Sequence, residues 1–281
     1  RGQREVIGLR ADGSTFPLEL GVTELRLSDR RLFLGILRDV SHRKAAEAEQ
    51  AYKDALGADQ RRNPRLVRAY AAFLDGQGRH DEALALLKET EGGAGEDPGV
   101  AAARREALSG SRITPVVATA REGMAEVLYG LAGALISDRG VDLPLVYLQL
   151  ALALEPDFDI AAMLQGEIYE SLEKWEDAAR AYSRVGRSSP YHPRAQIELA
   201  RLDARDDNVD KAVERLARIG GAGPARFDAL VAAGDVLRGA ERWDEAADAY
   251  GKAVALIAAP KESDWNARDA GPRRKNNCST R

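Results

Sequence analysis

The stretch DDNVD sets Asp206, Asn208 and Asp210 at alternate positions, the spacing by which a calcium loop turns its oxygen ligands toward one ion. The rest of such a loop is missing: Lys211 stands where the sharp turn needs glycine, and Ala217 where a closing bidentate glutamate is required. Calcium is therefore not expected, and no metal site is predicted. His42, in DVSHRK, invites comparison with the phosphorylated histidine of a sensor kinase, but it lacks the acidic and proline-containing surroundings of that motif and reads as a solvated residue at a helix start. His80 and His192 fall at predicted turns, without Cys, Asp or Glu at metal-ligand spacing, and read as structural or merely exposed. Trp175 and Trp243 could form a stacking platform for bases or sugars; because they share one column of a repeat, packing is the preferred reading. No glycine-rich phosphate loop, G-x-S-x-G elbow or histidine metal pair occurs. The many carboxylates are spread over helix faces, where solvation or ion pairing is their ordinary role. The expectation is a protein without catalytic residues or cofactor.

Composition narrows the partners. Lys+Arg 41 against Asp+Glu 45 gives a net charge of −4, which does not provide the broad positive field that non-specific nucleic-acid binding needs. No apolar run approaches the roughly 20 residues that span a bilayer. Cys278 is alone, so no internal disulfide forms, which fits a reducing compartment. The chain starts at Arg1, in the approach to a strand, and reads as a fragment or a processed chain. A cytoplasmic location is expected, with the periplasm left open.

In TFPLELGV, Phe16, Leu18, Leu20 and Val22 alternate with Pro17, Glu19 and Gly21, the period of a half-buried strand. VIGLR precedes it across Asp12-Gly13, a tight-turn pair. After Asp29-Arg30-Arg31, LFLGIL is apolar on both faces, as a strand sandwiched inside a sheet would be. This order, with RDVS leading into a charged helix, resembles the C-terminal half of a PAS domain over about residues 1–44. The resemblance implies that Asp39-Val40-Ser41 is the junction passing a signal from sheet to helix. The elements that close that family's ligand pocket are absent, so no small ligand is expected there. Asp39 or Ser41 is also a candidate helix N-cap. In the helix that follows, Ala45, Ala48, Tyr52 and Ala55 form an apolar stripe, suited either to a signalling coiled coil or to a cap on the first repeat.

The body of the chain repeats. Gly166, Ala200 and Gly234 stand 34 residues apart, as do Trp175, Val209 and Trp243; Ala178, Ala212 and Ala246; and Tyr182, Leu216 and Tyr250. Small residues let two helices cross closely, while the aromatic column fills the gap between them. Pro156, Pro190 and Pro224 keep the same spacing and are expected to end each second helix. A 34-residue helix-turn-helix with these columns resembles the tetratricopeptide repeat. Units are assigned to 64–97, about 116–158 (divergent, with an extended SDRGVD turn and Pro144 in place of alanine), 159–192, 193–226 and 227–260. A short helix near 99–108 separates the first two. The expected fold is mainly α, a solenoid of helical hairpins preceded by a small antiparallel three-stranded β segment. Its divisions are 1–42 (β segment), 43–63 (connecting helix), 64–260 (array) and 261–281 (irregular tail).

The tetratricopeptide resemblance implies a groove lined by positions 2, 5, 9, 12 and 13 of each first helix. In 193–226 these are Arg194, Ile197, Arg201, Ala204 and Arg205; the flanking units add Met163, Glu167 and Glu170 on one side and Asp228, Val231 and Asp235 on the other. The three arginines form a candidate basic ledge for an acidic peptide. The competing reading is an internal ladder in which Arg201 stands between Glu167 and Asp235. The family's clamp for C-terminal carboxylates of chaperones uses Asn and Lys in such positions, and this chain lacks them. The function expected is a non-enzymatic scaffold or adaptor binding a protein or peptide in the groove, with self-association through an uncapped last repeat as a further expectation. The alternative is a PAS-type sensor fragment signalling to the array.

Overall fold

The Asp12-Gly13 pair turns the chain as its residue types require: Gly13 adopts φ +83°, and Asp12 Oδ1 accepts from the Ser14 N–H at 2.9 Å and its hydroxyl at 2.7 Å. The geometry is that of a computed structural model describing residues 3–10, 12–26, 31–58, 63–90, 97–136, 140–220 and 224–258. The chain divides into two units, residues 1–116 and 117–281.

In the first unit, β1 (Gln3–Leu9), β2 (Thr15–Arg26) and β3 (Arg31–Asp39) form an antiparallel sheet in that order, with Val6 opposite Leu18 and Leu18 opposite Asp39. Gly8 lies close under β2: a Cβ there would stand 2.4 Å from the Leu18 side chain and 2.6 Å from that of Phe16, which would have to move aside. The two successive antiparallel connections put β2 at the centre, where residues 18–21 pair with β1 on one edge and β3 on the other. The sandwiched position expected for LFLGIL is therefore wrong: β3 is an edge strand, and its Ile36 and Leu37 are exposed.

Helix α1 (Ser41–Ala58) leaves the sheet through a tied junction. Val40 is buried and donates its N–H to Pro17 O at 3.1 Å, while Arg43 pairs with Glu19 at 2.6 Å and Lys44 with Glu5 at 2.9 Å. Asp39 Oδ1 accepts from the Ser41 hydroxyl and N–H, and with Arg10 at 2.9 Å these hold its carboxyl down at about 2. The far end of α1 lies on α2 (Pro64–Gly76), Tyr52 stacking on Tyr70 with ring centroids 5.3 Å apart. Of the two readings of its apolar stripe, the contacts match a cap on the first hairpin. Asn63 caps α2 and Asp97 caps α4 (Pro98–Leu108); with α3 (His80–Glu89) these helices enclose Val67, Ala71, Leu87, Val100 and Ile113.

The second unit is a run of hairpins: α5 (Ala120–Leu135) with α6 (Asp142–Leu154), α7 (Asp159–Ser171) with α8 (Trp175–Ser183), α9 (His192–Arg205) with α10 (Val209–Ala217), and α11 (Pro224–Gly239) with α12 (Trp243–Ala258). It is a helix-hairpin array of tetratricopeptide type. At Gly166 an added Cβ would lie 2.3 Å from the Tyr182 ring, and at Gly234 2.5 Å from that of Tyr250. The middle hairpin puts the larger Ala200 with the smaller Leu216 in the same columns, both buried. Residue 15 of four units, Gly78, Glu173, Asp207 and Glu241, turns with φ between +58° and +80°.

The prolines meet the expectation in part: α6 ends at Leu154 with Glu155 at its C-cap, directly before Pro156, but the other two differ. Helices α8 and α10 stop at Ser183 and Ala217, well short of Pro190 and Pro224; Pro224 instead opens α11, where its fixed φ and missing N–H cost nothing.

Candidate functional site

The predicted groove residues separate by burial. Met163 and Ile197 are 3% and 7% exposed and sit in the cores between hairpins, so they are corrected from lining to packing residues: position 5 of these helices faces the neighbouring hairpin. Val231 and Ala204 are half-buried. Glu167, Arg194, Arg201, Arg205, Asp228 and Asp235 are exposed, and Glu170 is half-buried. The polar positions of the set are thus the ones within a partner's reach.

The arginines are engaged, but not as a ladder through Arg201. Arg194 crosses from α9 to α7 and gives Nη2 to Glu167 Oε1 at 2.8 Å. Arg201 turns back within its own helix to Glu198 at 2.9 Å, three residues away, where a helix brings side chains together without a neighbouring hairpin. Arg205 lays its guanidinium 3.8 Å from the centroid of the Trp175 ring, a cation–π contact. On α11, Asp235 accepts from the Tyr250 hydroxyl at 2.7 Å and pairs with Arg238 at 3.6 Å. A wholly free basic ledge is not what the geometry presents.

Partial desolvation by its surroundings pushes the carboxyl of Glu167 up although part of the side chain stays exposed, with Arg194 opposing; that of Glu170 rises by desolvation and the charge of Glu198, against a hydrogen bond from Tyr182 and the charge of Arg201. The Tyr182 phenol is raised by burial and then by the charges of Glu170, Glu198 and Glu167. The other chemically suggestive residues are occupied. Asp210 takes Arg242 at 2.6 Å, which removes one corner of the calcium-like triplet, and His192 places Nδ1 3.3 Å from Val185 O. Trp175 is half-buried, whereas Trp243 is 62% exposed and does not pack as the repeat column led us to expect. Cys278 and the 261–281 tail lie outside the described residues, as does part of the SDRGVD turn.

Comparison with known proteins adds the following. No protein-family model matches the chain. A 39-residue stretch, 14% of the chain, is 59% identical to an uncharacterized protein of Azorhizobium caulinodans, of whose length it spans 5%. Solved structures similar to the chain include MamA, at 17% identity and TM-score 0.41 over 69% of this chain and 95% of that one. A Podosopora anserina kinesin light chain with nearly identical TPR-like repeats gives 16% identity and TM-score 0.42 over 71% and 99%. The C-terminal part of a TPR repeat-containing protein from Cytophaga hutchinsonii gives 13% and 0.42 over 77% and 76%. The architecture stands on the hairpin geometry described above.

Two arrangements were not read from the sequence. His80 bridges Asp75 Oδ1 at 2.8 Å and Ala107 O at 3.0 Å; the five-residue separation of Asp75 from His80 was visible, but the second acceptor, 27 residues away, was not. The other is the buried Tyr182 hydroxyl, which closes no hydrogen bond of ordinary geometry and has the Glu170 carboxylate bearing on it. Among the described residues no cluster of three His, Cys, Asp or Glu side chains could hold a metal ion, and no helix is long and apolar enough to cross a membrane.

Proposed function

We propose that the face carried by α7, α9 and α11 is a non-enzymatic interaction surface that binds an extended peptide or protein segment, making the chain a scaffold or adaptor. One observation carries the reading. The first helices of three successive hairpins set Glu167, Glu170, Arg194, Arg201, Arg205, Asp228 and Asp235 at repeating positions with polar ends accessible, while Ala161, Ala195 and Ala229, equivalent residues of the same helices, are 0–1% exposed. Stacked hairpins present such a surface at a regular pitch, which suits an extended ligand. The test is site-specific photo-cross-linking in cells, with p-benzoylphenylalanine at Arg201 or Asp228 on this face and at Glu214 on α10. Adducts with a partner are expected from the first two positions and not from Glu214. Adducts from Glu214 alone would overturn the reading.

A further inference from the structure

In the second unit, the outer columns of the second helices are charged in three hairpins and apolar in the first. On the 34-residue register that aligns Pro144 with Ala178, Ala212 and Ala246, the columns of residues 143, 146 and 150 hold a charged residue throughout α8, α10 and α12, the middle one Arg180, Glu214 and Asp248. Those charges are satisfied along their own helices, Glu214 by Arg218 at 2.6 Å and Asp248 by Lys252 at 2.6 Å, as on a face that meets water. In α6 the same columns read Leu143, Val146 and Leu150, each about half exposed. Around the helix these three stand opposite Leu145, Leu148 and Leu152, which are buried in one cluster with Ala161 and Ile168 of α7. Helix α5 adds a second stripe, Met124, Val127 and Leu131, 42–63% exposed. Val127 and Leu131 stand opposite Tyr129, whose ring centroid lies 5.5 Å from that of Phe158 at the start of α7. Both stripes therefore face away from α7.

We propose that this α5–α6 face pairs with the same face of a second copy of the chain about a two-fold axis. Area is the first argument for that occupant. The six side chains leave about 600 Å² of apolar surface in water, at the upper end of what the largest patch of a soluble monomer shows, and equal to the apolar share of the roughly 800 Å² that each partner of a stable dimer buries. Charge is the second. No charged residue stands within either stripe, and Arg121, the only basic residue of α5 and α6, is tied to the Leu154 carbonyl. A two-fold axis through this face brings no like charges together, as it would on the back of α8, α10 or α12, and an anionic lipid surface finds no row of cations to hold it. Two hairpins set face to face in this way form a four-helix layer with an apolar seam. The pairing does not depend on the reading of the α7, α9 and α11 face, which a dimer presents twice.

The test is sedimentation velocity of the full chain at micromolar concentration, beside the triple variant Leu143→Asp, Val146→Arg, Leu150→Arg, which writes the α8 residues Asp177, Arg180 and Arg184 into the α6 columns. The unaltered chain is expected to sediment with the mass of two chains. The triple variant is expected to sediment as a monomer with unchanged helical circular dichroism, its dissociation constant raised about a hundredfold or more. Arg180→Ala, in the same column on α8, is expected to change that constant by less than about twofold. Where the triple variant loses its helical spectrum, Val127→Lys on α5 is read in its place, with the same expectation. A monomeric unaltered chain would overturn the inference, since the face would then be covered by another part of the chain or by a different partner. A dimer that survives the charged variants would overturn it as well, by placing self-association on another face.

Discussion

His80 sits between two acceptors, the Asp75 carboxylate on Nδ1 and the Ala107 carbonyl on Nε2, so both ring nitrogens must carry protons for both bonds to form. The hydrogen bond to Asp75 raises the imidazole above its ordinary value near 6.5, helped by the Ala107 carbonyl and by Asp75 and Asp81 as charges, against desolvation. A histidine whose pKa is raised on folding contributes stability that is complete below the unfolded value and is lost as pH rises through the folded one. Asp75, which also accepts from the Ile113 N–H at 2.8 Å, stays ionised across that window because these hydrogen bonds outweigh its burial. Amide exchange in α4, corrected for intrinsic rates, is therefore expected to speed up as pH rises from neutral into the alkaline range, and His80→Gln is expected to flatten the dependence. The tyrosine pair gives a second residue-level expectation. Tyr250→Phe loses a hydrogen bond to a carboxylate and should cost about 1 kcal/mol, whereas Tyr182→Phe removes a buried hydroxyl that closes no hydrogen bond of ordinary geometry and meets only the Glu170 carboxylate, so it should cost less in urea unfolding.

Hairpins are specified by matched volumes at their crossing. Gly166→Ala places a methyl inside the Tyr182 ring, an overpacking cost of about 1–3 kcal/mol against a helix-propensity gain of about 1 kcal/mol. Paired with Tyr182→Leu, the same change reproduces the Ala200–Leu216 combination, so a double-mutant cycle should show Gly166→Ala lowering the urea midpoint alone and ceasing to do so in the Tyr182→Leu background. Strict additivity would contradict the crossing geometry. This level is the most legible in the sequence, because a column recurring every 34 residues states its own packing constraint whatever surrounds it. The departures come where neighbours decide. LFLGIL is apolar on both faces, yet edge position depends on which strand can pair twice. Met163 and Ile197 hold groove positions by counting, yet apolar side chains there gain more by burial against the next hairpin. Arg201 has carboxylates on either side in the repeat register, yet Glu198 stands closer within its own helix.

In the second unit, the packing of α11 is with α12, α9 and α10, so its influence should end one hairpin away. The functional reading depends on this property, since an extended ligand can be read unit by unit only on an array whose hairpins keep their form independently of distant ones. The most direct measurement is hydrogen exchange by mass spectrometry on a chain truncated after Gly220, which removes α11 and α12. Protection of α5–α8 is expected to be unchanged and that of α9–α10 reduced, with helical circular dichroism falling only by the share of the deleted helices. Loss of protection throughout α5–α10, with collapse to an unfolded spectrum, would contradict a helix-hairpin array.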